Sequence, residues 1–401
     1  MVGLSSIPYW RLSGFYFFYF ALVGALSPYL SLYLSDIGLT AYAIGLVNAV
    51  LMGTKIVAPN LWGWICDRTG KRLLIIGVGL GLATLFFAGL FFWQALLPIL
   101  IITFLYSFFW NAVLSQFDTL TIQYLDENSQ HYSRVRVWGS VGFIASVTAL
   151  GFLFDVVSIA YLIPISWVLL FLITINCTLL SEPPARKVSH VSISCKAIIK
   201  QPAVIAFFMA AFLLQLSFGA YYTFFSLYLE SYGYTRTTIG LLWALGVIAE
   251  VILFLIIHRL MPAMGVSYLL FWSLLLTSMR WFLTAFFADV VWVMLLAQCI
   301  HAFSFGAAHA ASIELIRQFF KGKNAGQGNA LYSSVTFGAG GAIGALLSGY
   351  LWGINPQLLF VMAGVVLLLA AAIARLGLCG NALVRFRENT ERSSGGKNNV
   401  E

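Results

Sequence analysis

Ser31–Val50 reads SLYLSDIGLTAYAIGLVNAV and Ser226–Leu245 reads SLYLESYGYTRTTIGLLWAL, with ten of twenty positions identical at a constant offset of 195 residues. Shared apolar composition gives scattered matches, but not SLYL, Gly, Thr and IGL in one register. The chain therefore reads as a duplication. A weaker echo pairs Trp138–Phe143 (WGSVGF) with Tyr332–Phe337 (YSSVTF).

Composition fixes the solvent in which this repeat folds. Of 401 residues, 61% are hydrophobic and 9% charged, with a mean hydropathy of +0.92, whereas a soluble domain carries about 25% charged residues. Such a chain cannot cover its own surface with polar groups and must sit in lipid. One helical crossing takes about 20 apolar residues. The polar punctuation leaves room for twelve: Trp10–Leu34, Ile44–Ile65, Leu73–Trp93, Leu97–Tyr124, Val137–Phe154, Ile159–Leu180, Ala203–Leu229, Ile239–Ile257, Tyr268–Phe287, Val290–Phe319, Leu331–Leu351 and Leu358–Leu376. The expected fold is an all-α integral membrane protein, two six-helix bundles related by a pseudo-two-fold axis. The bundles are 1–180 and 203–380, joined by a cytoplasmic linker 181–202 and followed by a polar tail, 381–401, expected to be disordered.

The net charge of +8 does not signal nucleic acid, because 19 of the 22 Lys and Arg fall between spans or at the termini on one side and only Arg236 falls on the other. That asymmetry is the orientation rule of membrane proteins, and it sets both termini in the cytoplasm. The first apolar run outlasts a signal-peptide core and no cleavage site follows it, so it reads as an uncleaved span. Five cysteines at unrelated spacings indicate neither a metal site nor a disulfide framework. No cofactor is called for. Gly338–Gly344 lies in an apolar span with no preceding strand, so close helix packing explains it better than phosphate binding. With no enzyme signature, a carrier and a channel remain, and parallel six-helix repeats belong to carriers whose site lies at mid-membrane between the halves. A monomer in a bacterial inner membrane, handling a small solute and protons, is the expected working unit.

The loop after the second span, Gly63-Trp64-Ile65-Cys66-Asp67-Arg68-Thr69-Gly70-Lys71-Arg72, has the pattern GxxxDRxGKR and resembles the signature loop of the major facilitator superfamily. An Asp at a helix end accepts hydrogen bonds from helix N-termini and basic groups. Gly63, Asp67, Arg68, Gly70, Lys71 and Arg72 are accordingly expected to form a conformational latch. The equivalent loop, His258–Gly265, lacks the acid. Within the superfamily the chain is most similar to the 3-phenylpropionic acid transporter-like family, near the lactose-permease-type and nucleoside proton symporters. The resemblance rests on Ala220-Tyr221-Tyr222, the run Leu242–Val251, Arg280-Trp281, His301, His309 and Arg136–Ser140. It implies proton-driven uptake of a small organic solute, an aromatic or other small carboxylate. A sugar or nucleoside symporter and a drug/proton antiporter remain alternatives.

Ionisable side chains inside the bilayer cost roughly 2.5 to 3.5 kcal/mol even on insertion scales and are functional candidates by default. Lys55 and Glu250 occupy equivalent repeat positions, which suggests one electrostatic system, either directly paired or sharing substrate and proton. A structural pair fits as well. Asn111, Ser115 and Asp118 share a face of the fourth span. His301 and His309, eight residues apart on the tenth span, are about 80° around it from one another in an ideal helix. Arg280 resembles the arginine that lactose-permease-type symporters hold near a proton-carrying His and acid, but Ser304 stands here where the acid is expected, so Glu250 or Asp118 takes that role. Gln215 and Tyr222 share a face of the seventh span, with Tyr221 beside them, and Trp243 lies two turns from Glu250. The expected substrate-binding set is Lys55, Asn111, Ser115, Gln215, Tyr222, Trp243 and Arg280. The expected proton-coupling set is Asp118, Glu250, His301 and His309. Tyr16, Tyr19 and Asn48 are weaker cavity candidates. Arg134 and Arg136 sit where they can meet acids across the gap, Glu314 being one conceivable partner.

Overall fold

The computed structural model describes residues 8–125, 131–182, 196–321 and 324–379. Most of the expected linker and all of the expected tail lie outside these. Twelve helices long and apolar enough to cross a membrane account for almost all of the described chain: α1 Tyr9–Asp36, α2 Ala41–Thr69, α3 Arg72–Phe91, α4 Leu96–Leu125, α5 Tyr132–Phe154, α6 Ile159–Thr178, α7 Pro202–Ser231, α8 Arg236–Met264, α9 Val266–Phe286, α10 Val291–Phe319, α11 Ala325–Ile354 and α12 Pro356–Gly377. The expected spans are all present, lengthened by a few residues where polar ends continue the helix.

The 195-residue offset extends through the fold. It carries the bounds of α2 onto those of α8, and places α1, α3 and α4 on α7, α9 and α10 within about two residues. The identities found in the sequence now have local causes. Gly38 and Gly233 hold φ of 86° and 83° after α1 and α7, a conformation that glycine adopts without a Cβ penalty. Thr40 and Thr235 then cap the next helices, accepting from the Ala43 and Thr238 amides at 3.3 and 3.2 Å. Ser31 and Ser226 accept from Asn48 and Trp243, again equivalent positions, at 3.4 and 3.0 Å.

Two helices break where chemistry is expected. Pro59 has no N–H to give the Lys55 carbonyl and its ring crowds that group; α2 accordingly passes through a 3-10 turn at Thr54–Ile56. Asn111 bridges the break, donating to the Leu51 carbonyl and the Thr54 hydroxyl at 2.8 Å each. The other breaks are π segments, Ala302–Ala307 in α10 and Ser333–Gly340 in α11, a rare geometry that concentrates at functional positions.

The first six and last six spans are joined at the end that carries residues 37–40 and 232–235. Glycines there let backbones touch: a Cβ on Gly45 would lie 2.8 Å from Gly349 Cα, and one on Gly240 2.6 Å from the Val147 carbonyl. Asp155, just past α5, accepts from the Arg236 and Thr237 amides at 2.8 and 3.0 Å, and Arg236 donates to the Phe154 carbonyl at 3.1 Å. The carboxylate thus complements the helix N-terminus of the other bundle. At mid-bundle, Ser334 in the π segment of α11 donates to the Ile56 carbonyl in the break of α2 at 3.0 Å. Toward the opposite end Asp118 and Arg136 stay about a third exposed.

What little burial Asp155 has pushes its carboxyl upward, but hydrogen bonds from Thr237 and Arg236 outweigh that and hold it below the usual carboxylate range. Its contribution to the joint is therefore full above the ordinary carboxylate pKa and is lost only as pH falls through the depressed value. Asp155→Ala should loosen the joint, read as several-fold faster maleimide labelling of Asn48→Cys in a background without other cysteines. The ratio of variant to parent rates should be equal at pH 8 and pH 5.5; a ratio that collapses between them contradicts this assignment.

Candidate functional site

Arg280 on α9 has no accessible surface. Its guanidinium lies 4.3 Å from the Tyr221 ring and 4.4 Å from that of Trp281, and it donates to Gln298 Oε1 at 3.3 Å. Nε and Nη1 have no hydrogen-bond partner among the described residues, and no carboxylate there forms an ion pair with it. A desolvated cation without a counter-charge costs several kcal/mol. Aromatic faces offset part of this, about 2 kcal/mol each when desolvated, and supply no counter-charge.

Around it stand the other candidates of the second bundle. Tyr221 also donates to Gln298 at 3.2 Å and packs on Trp243 with ring centres 4.2 Å apart. Tyr222 lies 6.2 Å from Trp243, whose indole N–H is engaged by Ser226, so Trp243 offers an apolar wall and not a donor. Gln215 is buried about two turns earlier on α7, against Gly340. Gln298, fully buried and shared by Arg280 and Tyr221, was not singled out from sequence; a lone amide in an apolar span was the available signal.

His301 is 5.4 Å from Tyr221. The wider π turn undoes the rotation of an ideal helix, so His301, Phe305 and His309 stack in one column, centres 6.2 and 5.8 Å apart and planes within 18° and 12°. This corrects the expected 80° separation. Nδ1 of both histidines is buried without a partner among the described residues. Glu250 borders the column, its Cγ 3.2 Å from where a Cβ on Gly306 would be.

The first bundle holds a separate group. Asp118 accepts from Tyr16 and Tyr132 at 2.7 and 2.8 Å and pairs with Arg136 at 3.8 Å. Ser115 donates to its own helix at the Ala112 carbonyl, and the Asn111 amide is committed to the α2 break, so this stripe has fewer free groups than its sequence suggests. Lys55, in that break, has the Met52 sulfur at 3.3 Å as its nearest polar contact. It forms no ion pair with Glu250 in this conformation. Glu314 is bound by Arg317 at 2.7 Å and by Gln318 at 2.9 Å, which excludes it as the partner of the α5 arginines here.

The latch residues assemble within the first bundle. Gly70, at φ 67°, ends α2 and turns the chain. Arg72 binds Asp67 at 2.6 Å and also donates to Gln116. A side chain on Gly63 would press on Gln116 Nε2, 3.1 Å from the added Cβ. Arg68 stacks on Trp64 at 4.3 Å, and Lys71 is exposed. Glu182, absent from the sequence reading, receives the Leu73 amide at 3.0 and 3.1 Å and so ties the end of the bundle to the latch.

The family model described as MFS_1 like family matches residues 9–362. The chain is 29% identical over 350 residues to a probable 3-phenylpropionic acid transporter of Escherichia coli (strain K12), covering 84% of this chain and 89% of that protein. It is 29% identical over 373 residues to a maltose permease of Geobacillus stearothermophilus, covering 89% and 93%. Crystal structures of the nucleoside transporter NupG superpose with TM-scores of 0.84 and 0.80 at 15% and 16% identity. They cover 92% of this chain and 99% and 98% of theirs, a likeness of fold.

Proposed function

The chain belongs to the MFS_1 like family of major facilitator transporters, and from that premise we propose that it takes up a small organic anion, an aromatic or other small carboxylate, in symport with protons by alternating access. The observation that carries this reading is Arg280, a buried cation with two unengaged nitrogens inside a wall of Tyr221, Trp243 and Trp281. A carboxylate supplies the missing charge and accepts from the guanidinium fork, while an aromatic body packs on the rings. The relative named for phenylpropionic acid agrees with it. Protons are to be carried by Glu250, His301 and His309, with Lys55 a second cation for the solute. We further read the protein as a monomer of a bacterial inner membrane, and the one-sided loop charges support cytoplasmic termini.

A solute that binds the folded state raises its melting temperature by mass action. Aromatic carboxylates should stabilise the purified protein, and vesicle uptake of the stabilising acid should follow an imposed inward proton gradient and collapse with a protonophore. Stabilisation by disaccharides or nucleosides and by no carboxylate overturns the assignment of substrate. Sodium-dependent or gradient-independent uptake overturns the coupling.

A further inference from the structure

Gln298 on α10 stands beside Arg280 with only half of its amide engaged. Its Oε1 accepts from Arg280 Nη2 at 3.3 Å and from the Tyr221 hydroxyl at 3.2 Å, while its Nε2 has no partner among the described residues. The orientation follows from chemistry: a guanidinium only donates, so the amide turns its oxygen and not its N–H groups toward it. Arg280 and Gln298 have no accessible surface, and a buried donor left without an acceptor is costly.

The acceptors nearby are already taken. Trp243 donates to the Ser226 hydroxyl oxygen at 3.0 Å and Trp281 to that of Ser217 at 3.2 Å, while Ser217 gives its own proton to the Leu214 carbonyl at 2.7 Å. Nδ1 of His301 bonds to none of these groups. Three nitrogens are left over: Arg280 Nε with one N–H, Arg280 Nη1 with two and Gln298 Nε2 with two. A carboxylate has about four lone-pair sites for all of them, so a plain monocarboxylate leaves a donor unserved. Nε2 shares a carbon with the oxygen that Arg280 holds, which sets it beside the guanidinium, within reach of an atom one bond away from a carboxylate seated there.

We propose that Gln298 is a solute-binding residue and that the carried acid has an oxygen on the carbon next to its carboxylate, as a 2-oxo acid does. The carboxylate meets the Arg280 guanidinium, and the 2-oxo oxygen accepts from Gln298 Nε2. An oxo oxygen suits a group rich in donors better than a hydroxyl, which brings one donor more. That oxygen would distinguish this solute from the acid for which one relative is named. The inference deepens the carboxylate reading and rests on it.

Two pairs of acids that differ only at the 2-position test it by isothermal titration of the purified full-length protein: phenylpyruvate against 3-phenylpropionate, and pyruvate against propionate. In at least one pair the oxo acid should bind at least about tenfold tighter. Gln298→Met keeps the length of the side chain without its N–H groups. It removes an acceptor from Arg280 and Tyr221 whichever acid is bound, so affinities should fall together while the preference for the oxo acid drops to within about twofold. Gln298→Glu sets a carboxylate against Arg280 in place of the solute's; it should abolish binding of all four acids and raise the melting temperature of the empty protein. Equal affinities within both pairs in the parent overturn the inference even if neither variant folds, and so does a preference that survives Gln298→Met or binding that survives Gln298→Glu. Binding of none of the four also overturns it, and the carboxylate reading falls with it only if the wider solute screen finds no stabilising carboxylate.

Discussion

Arg280→Gln should reduce carboxylate binding and uptake at least about 30-fold while leaving the melting temperature of the substrate-free protein unchanged or raised. The two halves of this result have one cause. Truncating one partner of a buried charge pair costs about 2 to 5 kcal/mol, and each 1.4 kcal/mol is tenfold in affinity. Without solute, the guanidinium is a desolvated charge whose Nε and Nη1 have no partner among the described residues, so a neutral amide in its place relieves a cost. Arg280→Lys should rescue little, because a point charge does not reproduce the planar fork. Isothermal titration with the acid found by thermal shift, beside calorimetry of the empty variant, reads both halves. If Arg280→Gln lowers stability by several kcal/mol and leaves affinity within about threefold, Arg280 holds the helices together and the solute binds elsewhere.

Architecture was legible in the sequence because the bilayer permits so little. Apolar length sets the number of spans, and every identity in the repeat that the structure explains is a local requirement: a left-handed glycine at Gly38 and Gly233, a cap at Thr40 and Thr235, an acceptor at Ser31 and Ser226. The site was legible only as a set of residues. Rotation about a helix is calculable while the helix is regular, and it failed at the π segment of α10, which lines up His301 and His309. Pairing across helices was not legible. Lys55 and Glu250 share a repeat position yet do not touch, because a rotation axis places equivalent residues symmetrically about the centre and not against each other. Asn111 looked like a solute ligand, but Pro59 creates a backbone break that needs its amide. Gln116, Glu182 and Gln298 escaped notice because a single polar residue carries no periodic signal, and their partners lie 44, 109 and 18 residues away.

Enlarging Gly349 should trap the carrier with its joined end apart and reduce transport to background. A Cβ there would lie 2.8 Å from the Ala41 carbonyl, 3.0 Å from Gly45 Cα and 3.2 Å from Tyr42 Cα, all backbone atoms of α2 that cannot swing aside as a side chain can. Gly349→Leu adds three further carbons to that clash, and overpacking of this kind costs about 1 to 3 kcal/mol. Because α2 and α11 belong to different bundles, separating them relieves the clash without disturbing either bundle's own packing. A penalty of that size moves a two-state equilibrium by roughly 5- to 150-fold. Asn48, buried just below this contact at 5% exposure, is the reporter: Asn48→Cys should react with maleimide at least about tenfold faster in the Gly349→Leu background, and proton-driven uptake should be lost while solute binding persists. Gly353→Leu, one turn further along α11 with nothing within 4 Å of its added Cβ, should change neither reading. Normal uptake by Gly349→Leu would mean that the contact of α2 with α11 does not gate the cycle, whereas loss of both uptake and solute binding would trace the effect to misfolding of α11 and leave the joint unsupported as a moving part.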